Sequence, residues 1–199
     1  MHASPEASVD DHGLADGSLC AGAHKGGPLR LFFALRPDEG VRAQLAHWSR
    51  ELHAVCGGRP TREENLHLTL AFLGNVEDAR VAEVERAADE VAPRVLTLVL
   101  DRPGYWKHNR IAWAGASTVP AGLDAFVAEL RSALARSYIG FDPKGFVSHV
   151  TLLRDAREPK AMPALAPIEW RLAGFALVQS VSSPGGSRYE IRKSWQGRA

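Results

Sequence analysis

Two short segments of the chain carry the same polar residues at the same spacing. One reads Leu66-His67-Leu68-Thr69-Leu70 and the other Ser148-His149-Val150-Thr151-Leu152. In an extended strand, residues i and i+2 project from one face, so His67 and Thr69 point one way and Leu68 the other. His149, Thr151 and Val150 repeat the arrangement. Imidazole titrates near pH 6.5 and passes protons in either direction around neutrality. Two imidazoles with two hydroxyls therefore form an acid–base kit for one phosphate. One ring takes a proton from a nucleophile, the other gives one to a leaving oxygen, and the hydroxyls hold the non-bridging oxygens.

A single His-x-Thr says little, because a half-buried strand with its polar face in water reads the same way. With eight histidines in the chain, roughly 0.2 such triplets are expected after shuffling. Two copies, each followed by Leu inside an apolar run, are much harder to obtain by accident. Nearby residues extend the kit. Arg154 follows the second copy and suits a charge-assisted contact to developing negative charge, its plain alternative being a solvated strand end. Arg59 and Arg62 precede the first copy, either as contacts to a nucleic-acid backbone or as plain solvated loop arginines. The segment Tyr105-Trp106-Lys107-His108-Asn109-Arg110 mixes aromatic and basic side chains, a composition that stacks bases and holds phosphates, or else forms an exposed hairpin tip. Thr69 and Thr151 taken singly are also ordinary strand formers.

The elements that must position these residues follow from periodicity. Leu31–Leu35 reads as a strand stopped by Pro37. Val41, Leu45, Trp48 and Leu52 recur at helical spacing, giving a helix over about 38–55. Leu66–Leu73 is the first motif strand, followed by a helix through Val81, Val84, Ala88 and Val91. Val95–Leu100 and Ile111–Ala114 are strands around a loop at Arg102–Arg110. Leu123, Phe126, Val127, Leu130 and Leu134 make a third helix. Phe146–Leu153 is the second motif strand, and Ile168–Val181 and Tyr189–Ile191 are late strands around a Pro-Gly-Gly turn. Each motif strand follows a long helix, and the two histidines lie 82 positions apart. The pattern predicts an α+β, bilobal duplicated fold, with two mixed or antiparallel sheets lining a central cleft and helices outside. Residues 1–28, rich in Gly, Ala, Ser and Asp, read as a flexible tail, and 29–199 as a single domain.

Bulk properties narrow the function. A net charge of +1 on 199 residues argues against wrapping a long nucleic acid by counterion release and leaves a small ligand or the end of a nucleic acid. Cys20 and Cys56 form no disulfide framework and read as reduced thiols of a cytoplasmic protein. No apolar run is long enough for a membrane span, and the acidic N-terminus lacks the apolar core of a secretory signal. Neither His has a carboxylate or Cys at ligand spacing beside it, so no metal and no cofactor are expected.

With these residues in place, the chain resembles the 2H phosphoesterases, in particular the RNA 2′,3′-cyclic phosphodiesterase (2′-5′ RNA ligase) family, over about residues 29–195. The resemblance rests on Arg30-Leu31-Phe32-Phe33-Ala34-Leu35 with Pro37, on Glu64-Asn65-Leu66-His67-Leu68-Thr69-Leu70-Ala71-Phe72-Leu73-Gly74, on His149-Val150-Thr151-Leu152-Leu153-Arg154, and on Leu177–Ser180 with Tyr189-Glu190-Ile191. One departure is Ser148, where the family often has Pro. Ser148 is expected to point away from the cleft.

The resemblance implies metal-independent opening of a 2′,3′-cyclic phosphate to a 2′-phosphomonoester, with His149 as base and His67 as acid on the 3′ oxygen. Substrate contacts are expected from Thr69, Thr151, Arg154, Arg62 and Trp106, in a monomer acting on RNA ends or nucleotide-sized cyclic phosphates. The same site in reverse joins a cyclic end to a 5′-hydroxyl, a direction that equilibrium disfavours. Alternative readings are a phosphodiesterase for ADP-ribose cyclic phosphate or 2′-5′ oligoadenylate, and a non-catalytic RNA- or nucleotide-binding module. The two imidazoles argue against the last.

Overall fold

The computed structural model describes residues 27–183 and 186–197. The tail assigned to 1–28 lies, up to residue 26, outside the described residues, as do Cys20, His2, His12 and His24.

Strand β1 (Leu29–Leu35) is apolar on both faces: Leu31, Phe33 and Leu35 enter the main core, while Phe32 and Ala34 join a smaller cluster on the opposite side. Helix α1 (Glu39–Cys56) starts where Asp38, in extended conformation, accepts from the Val41 N–H at 2.8 Å, an N-cap that satisfies an otherwise orphaned donor. It stops at Gly57, whose φ of 59° takes the chain out of the helix. The stripe Val41, Leu45, Trp48 and Leu52 is buried, and each large apolar side chain contributes about 1.5–3 kcal/mol. There follow β2 (Arg59–Pro60), β3 (Leu68–Val76), α2 (Val81–Asp89), β4 (Leu96–Leu100), β5 (Arg102–Trp106), β6 (Ile111–Gly115), α3 (Ala121–Arg136), β7 (His149–Arg154), β8 (Ile168–Leu172), β9 (Gly174–Ser183) and β10 (Gly186–Gln196).

All strand pairs are antiparallel. Seven strands run in the order β10-β9-β1-β3-β7-β6-β5, with β2 pairing β7, and β4 and β8 form a separate two-stranded sheet. The α+β class with antiparallel sheets and outer helices thus agrees with the sequence pattern. The large sheet has two arms, β10-β9-β1-β3 and β7-β6-β5, and a single residue pair, Leu68↔Val150, joins them. Helices α1 and α3 each pack beneath the arm opposite to that of the strand they follow. Helix α1 comes after β1 but lies on β6 and β7, where Ser49 donates to the Leu152 carbonyl at 3.4 Å. Helix α3 comes after β6 but lies under β3. The two arms are therefore tied together from below by exchanged helices, and the opposite face of the sheet is left for the cleft.

Four local readings need correction. The motif strands begin later than predicted, at Leu68 and His149, because Glu63–Asn65 form a short 3₁₀ turn and residues 146–148 are not in strand. The stretch read as one strand over Ile168–Val181 is two, β8 and β9, in different sheets. The loop assigned to Arg102–Arg110 contains strand β5. Pro103 is tolerated because β5 is an edge strand. Gly104 is required by the partner residue: Trp113 lies opposite it, and a Cβ on Gly104 would stand 2.0 Å from that ring. Finally, β3 does not alternate throughout. Its ladder with β1 slips between Phe33↔Ala71 and Ala34↔Thr69, leaving Leu70 as an extra residue. This bulge reverses the parity of the strand, so Thr69 and Phe72, three residues apart, share the cleft face, whereas Leu70 and Ala71 are both buried in the core.

Candidate active site

The helix-free face of the sheet forms a cleft of about 940 Å³. Its floor is the seam between the arms. Leu68 and Val150 pair there and are fully buried on the core side. Continuing that antiparallel register by one residue sets Thr69 beside His149 and His67 beside Thr151. The two histidines then occupy one diagonal and the two threonines the other. Diagonal neighbours in such a ladder stand about 7–8 Å apart, room for a phosphate between the rings. His67, Thr69, His149 and Thr151 all line the cleft, as do Arg154, Arg62, Arg59 and Trp106. The two histidines and the five expected substrate contacts, Thr69, Thr151, Arg154, Arg62 and Trp106, therefore reach one space.

The two motifs also match in their hydrogen bonds. His67 Nδ1 lies 2.7 Å from the carbonyl of Asn65, and His149 Nδ1 lies 2.8 Å from that of Val147, in both cases two residues upstream. A carbonyl only accepts, so each Nδ1 carries the proton and each Nε2 keeps its lone pair. His67 Nε2 is 3.1 Å from Thr69 Oγ, where the hydroxyl donates to it.

A family model described as LigT like Phosphoesterase matches residues 35–113. The RNA 2′,3′-cyclic phosphodiesterase of Escherichia coli (strain K12) is 39% identical over 174 residues, covering 84% of this chain and 96% of the relative. That of Thermus thermophilus is 33% identical over 183 residues, covering 85% and 91%. The chain belongs to the LigT-like phosphoesterase family. Among solved structures, Escherichia coli LigT complexed with 3′-AMP superposes with a TM-score of 0.76 at 34% identity, covering 86% of this chain and 99% of that one.

In this LigT-like phosphoesterase the motif histidines have different neighbours. The His67 ring packs against Phe32, at 4.8 Å between centroids, and against Tyr189, at 5.1 Å and edge-on, and those two rings meet each other at 5.0 Å. The His149 ring meets Trp106 edge-on at 4.5 Å. Desolvation pushes the His67 pKa down to about 4, against the opposing effect of the Asn65 carbonyl, and the charges of His149, Arg154 and Arg36 push the same way as burial. His149 is lowered too, by burial first and by Arg154 in addition, with the Val147 carbonyl opposing. Burial and the nearby charges thus favour the neutral form of both rings.

Sequence reasoning missed Phe32, Tyr189 and Asn65. Phe32 carried a signal: strict alternation in β1 puts it opposite Leu31 and Phe33, on the face the motif shares. Asn65 is buried, and its side chain donates to the Ser187 carbonyl of β10 at 2.8 Å, tying the His67 turn to the strand that carries Tyr189. No local pattern announces a bond across 122 positions. The reverse error occurred at the aromatic and basic segment. Trp106 and Asn109 line the cleft, but Tyr105 donates to the Ala156 carbonyl, Arg110 is bound to the carbonyls of Asp155 and Ala156, and Lys107 pairs with Glu158. The side chains alternate along β5 and then enter a turn, so they do not share one face. Ser148 is buried and does not line the cleft. Among the described residues, no group of three or more His, Cys, Asp or Glu could hold a metal ion, and no helix is long and apolar enough to cross a membrane.

Proposed function

We propose that this chain hydrolyses RNA 2′,3′-cyclic phosphodiester ends to 2′-phosphomonoesters, without a metal ion. The observation that carries the reading is the diagonal pair of histidines about the Leu68↔Val150 seam, each with Nε2 unprotonated and each opposite a threonine. The phosphodiesterase names of its relatives and the nucleotide bound to Escherichia coli LigT support the substrate class.

A 2′,3′-cyclic phosphate is a strained diester with one negative charge. Its arrival beside two desolvated rings favours their protonated forms and offsets the repulsion from Arg154. In the roles that the family resemblance implies, His149 removes a proton from the attacking water and His67 delivers one to the departing 3′ oxygen. Thr69 releases its bond to His67 as that ring is protonated, and its hydroxyl turns to a non-bridging oxygen. Thr151 and Arg154 hold the others as charge builds in the transition state. Residues 29–199 act as one bilobal unit, as a monomer. A cytoplasmic setting belongs to the same reading; Cys56 is a buried free thiol whose pKa burial raises.

The test is hydrolysis of a cyclic-ended oligonucleotide with and without EDTA, followed by phosphorus NMR. The expected result is an unchanged rate in EDTA and a 2′-phosphate signal. A predominant 3′-phosphate, or a rate abolished by EDTA and restored by Zn²⁺ or Mn²⁺, overturns the reading.

A further inference from the structure

The cleft is larger than its chemistry needs. At about 940 Å³ it approaches the top of the range for a whole drug-sized ligand, roughly 300–1,000 Å³, while the two motifs occupy only the stretch around the seam. One end of the cleft is built by residues the reaction does not use. The bulge at Leu70 brings Phe72 onto the cleft face, three residues beyond Thr69 and so about 10 Å along the strand. The guanidinium of Arg30, from the neighbouring strand β1, lies over the Phe72 ring at 4.7 Å. The chain before β7 comes alongside: the Asp142 N–H donates to the Phe72 carbonyl at 2.8 Å. Asp142 also caps the backbone N–H of Lys144 at 3.1 Å, which fixes the turn that carries the lysine. The Lys144 ammonium is 3.5 Å from the Asp142 carboxylate and its side chain is 87% exposed.

Charge is concentrated here although the whole chain is nearly neutral. Among the described residues, the cleft lining holds Arg30, Arg59, Arg62, Lys144 and Arg154 against one carboxylate, Asp142. A guanidinium laid on a ring keeps its edge N–H groups for phosphate oxygens and its outer plane for a base. An ammonium beside it supplies a point charge. Aromatic and cationic groups in one groove are how single strands are held without regard to sequence.

We infer that Arg30, Phe72 and Lys144 form a second nucleotide site, which takes the nucleotide and phosphodiester preceding the cyclic end of a single-stranded RNA. The inference rests on the proposed function and sharpens its substrate from any cyclic phosphate to the end of a strand.

The experiment compares two substrates: a nucleoside 2′,3′-cyclic monophosphate and a trinucleotide ending in the same cyclic nucleotide. The proteins are the unaltered chain, Arg30→Gln and Lys144→Gln, all three assayed at several salt concentrations. The unaltered chain should prefer the trinucleotide. Each substitution should lower kcat/KM for the trinucleotide about tenfold, through KM, and leave the mononucleotide rate unchanged. The salt dependence of log KM for the trinucleotide should flatten by about 0.7 per lost charge. Equal losses on both substrates, no loss on either, or no preference in the unaltered chain overturns the second site while leaving the hydrolase reading intact. Failure of the unaltered chain to open either substrate overturns that reading and the second site with it.

Discussion

The arm that carries His67 and the arm that carries His149 present the same motif in unlike surroundings. Their backbones agree in detail: each imidazole gives its Nδ1 proton to the carbonyl two residues upstream, and each central residue of the triplet is buried at the seam. Their environments do not agree. His67 is enclosed by Phe32 and Tyr189, from β1 and β10 of the long-stranded arm, and its Nδ1 bond is partly buried. The Nδ1 bond of His149 is exposed, and its ring leans on Trp106 at the end of edge strand β5. The two arms therefore share what aims a proton acceptor, which is local backbone, and differ in what sets its pKa and its substrate contacts, which comes from distant strands.

The comparison breaks first at chemistry. Replacing either histidine with Ala should lower turnover by about 10²–10⁴, the range for a general acid or base. The double variant should lose little beyond the worse single one, because the two rings act on one event. A single variant that keeps near-normal kcat would show that the arms are not equivalent partners.

A smaller effect separates the walls. Trp106→Ala should raise KM for a cyclic-ended substrate by about tenfold, the usual scale for a stacked base, with kcat less affected. An unchanged KM with a much lower kcat would instead mark Trp106 as a transition-state contact. Tyr189→Leu retains apolar cover beside His67, so its expected effect on KM is slight.

The smallest effect is a shift on the pH axis, read from kcat/KM, which reports the free enzyme. The base works above its pKa and the acid below its own. Both histidines are lowered, so the whole bell should lie to the acid side of 6.5, with one limb near 4 from His67. Tyr189→Ser, which admits water to His67, should move that limb upward and leave the other in place. A bell centred above 6.5 would refute the desolvation argument. The profile of kcat should sit at higher pH than that of kcat/KM, because bound phosphate favours both imidazolium forms.

Much of this was readable in one dimension. The period of two in Leu66–Leu70 and Ser148–Leu152 follows from the geometry of an extended backbone, so the sequence alone determined that each His shares a face with its Thr. The helical stripe from Val41 to Leu52 and the stop at Gly57 are local in the same sense. Side-chain types alone excluded obvious metal spacing and marked the family. The tertiary structure decided everything that depends on which strand lies beside which. The register Leu68↔Val150 turns two weak motifs into one diagonal set, and one residue of slippage would have turned every side chain of the strand to the other face. The Leu70 bulge carries Phe72 onto the cleft face against the alternation that precedes it. Gly104, placed by the sequence pattern in a loop, is a strand residue that makes way for the ring of Trp113 across the ladder. Periodicity is a property of a chain by itself, whereas register, bulges and ring neighbours are settled by packing between segments tens of residues apart.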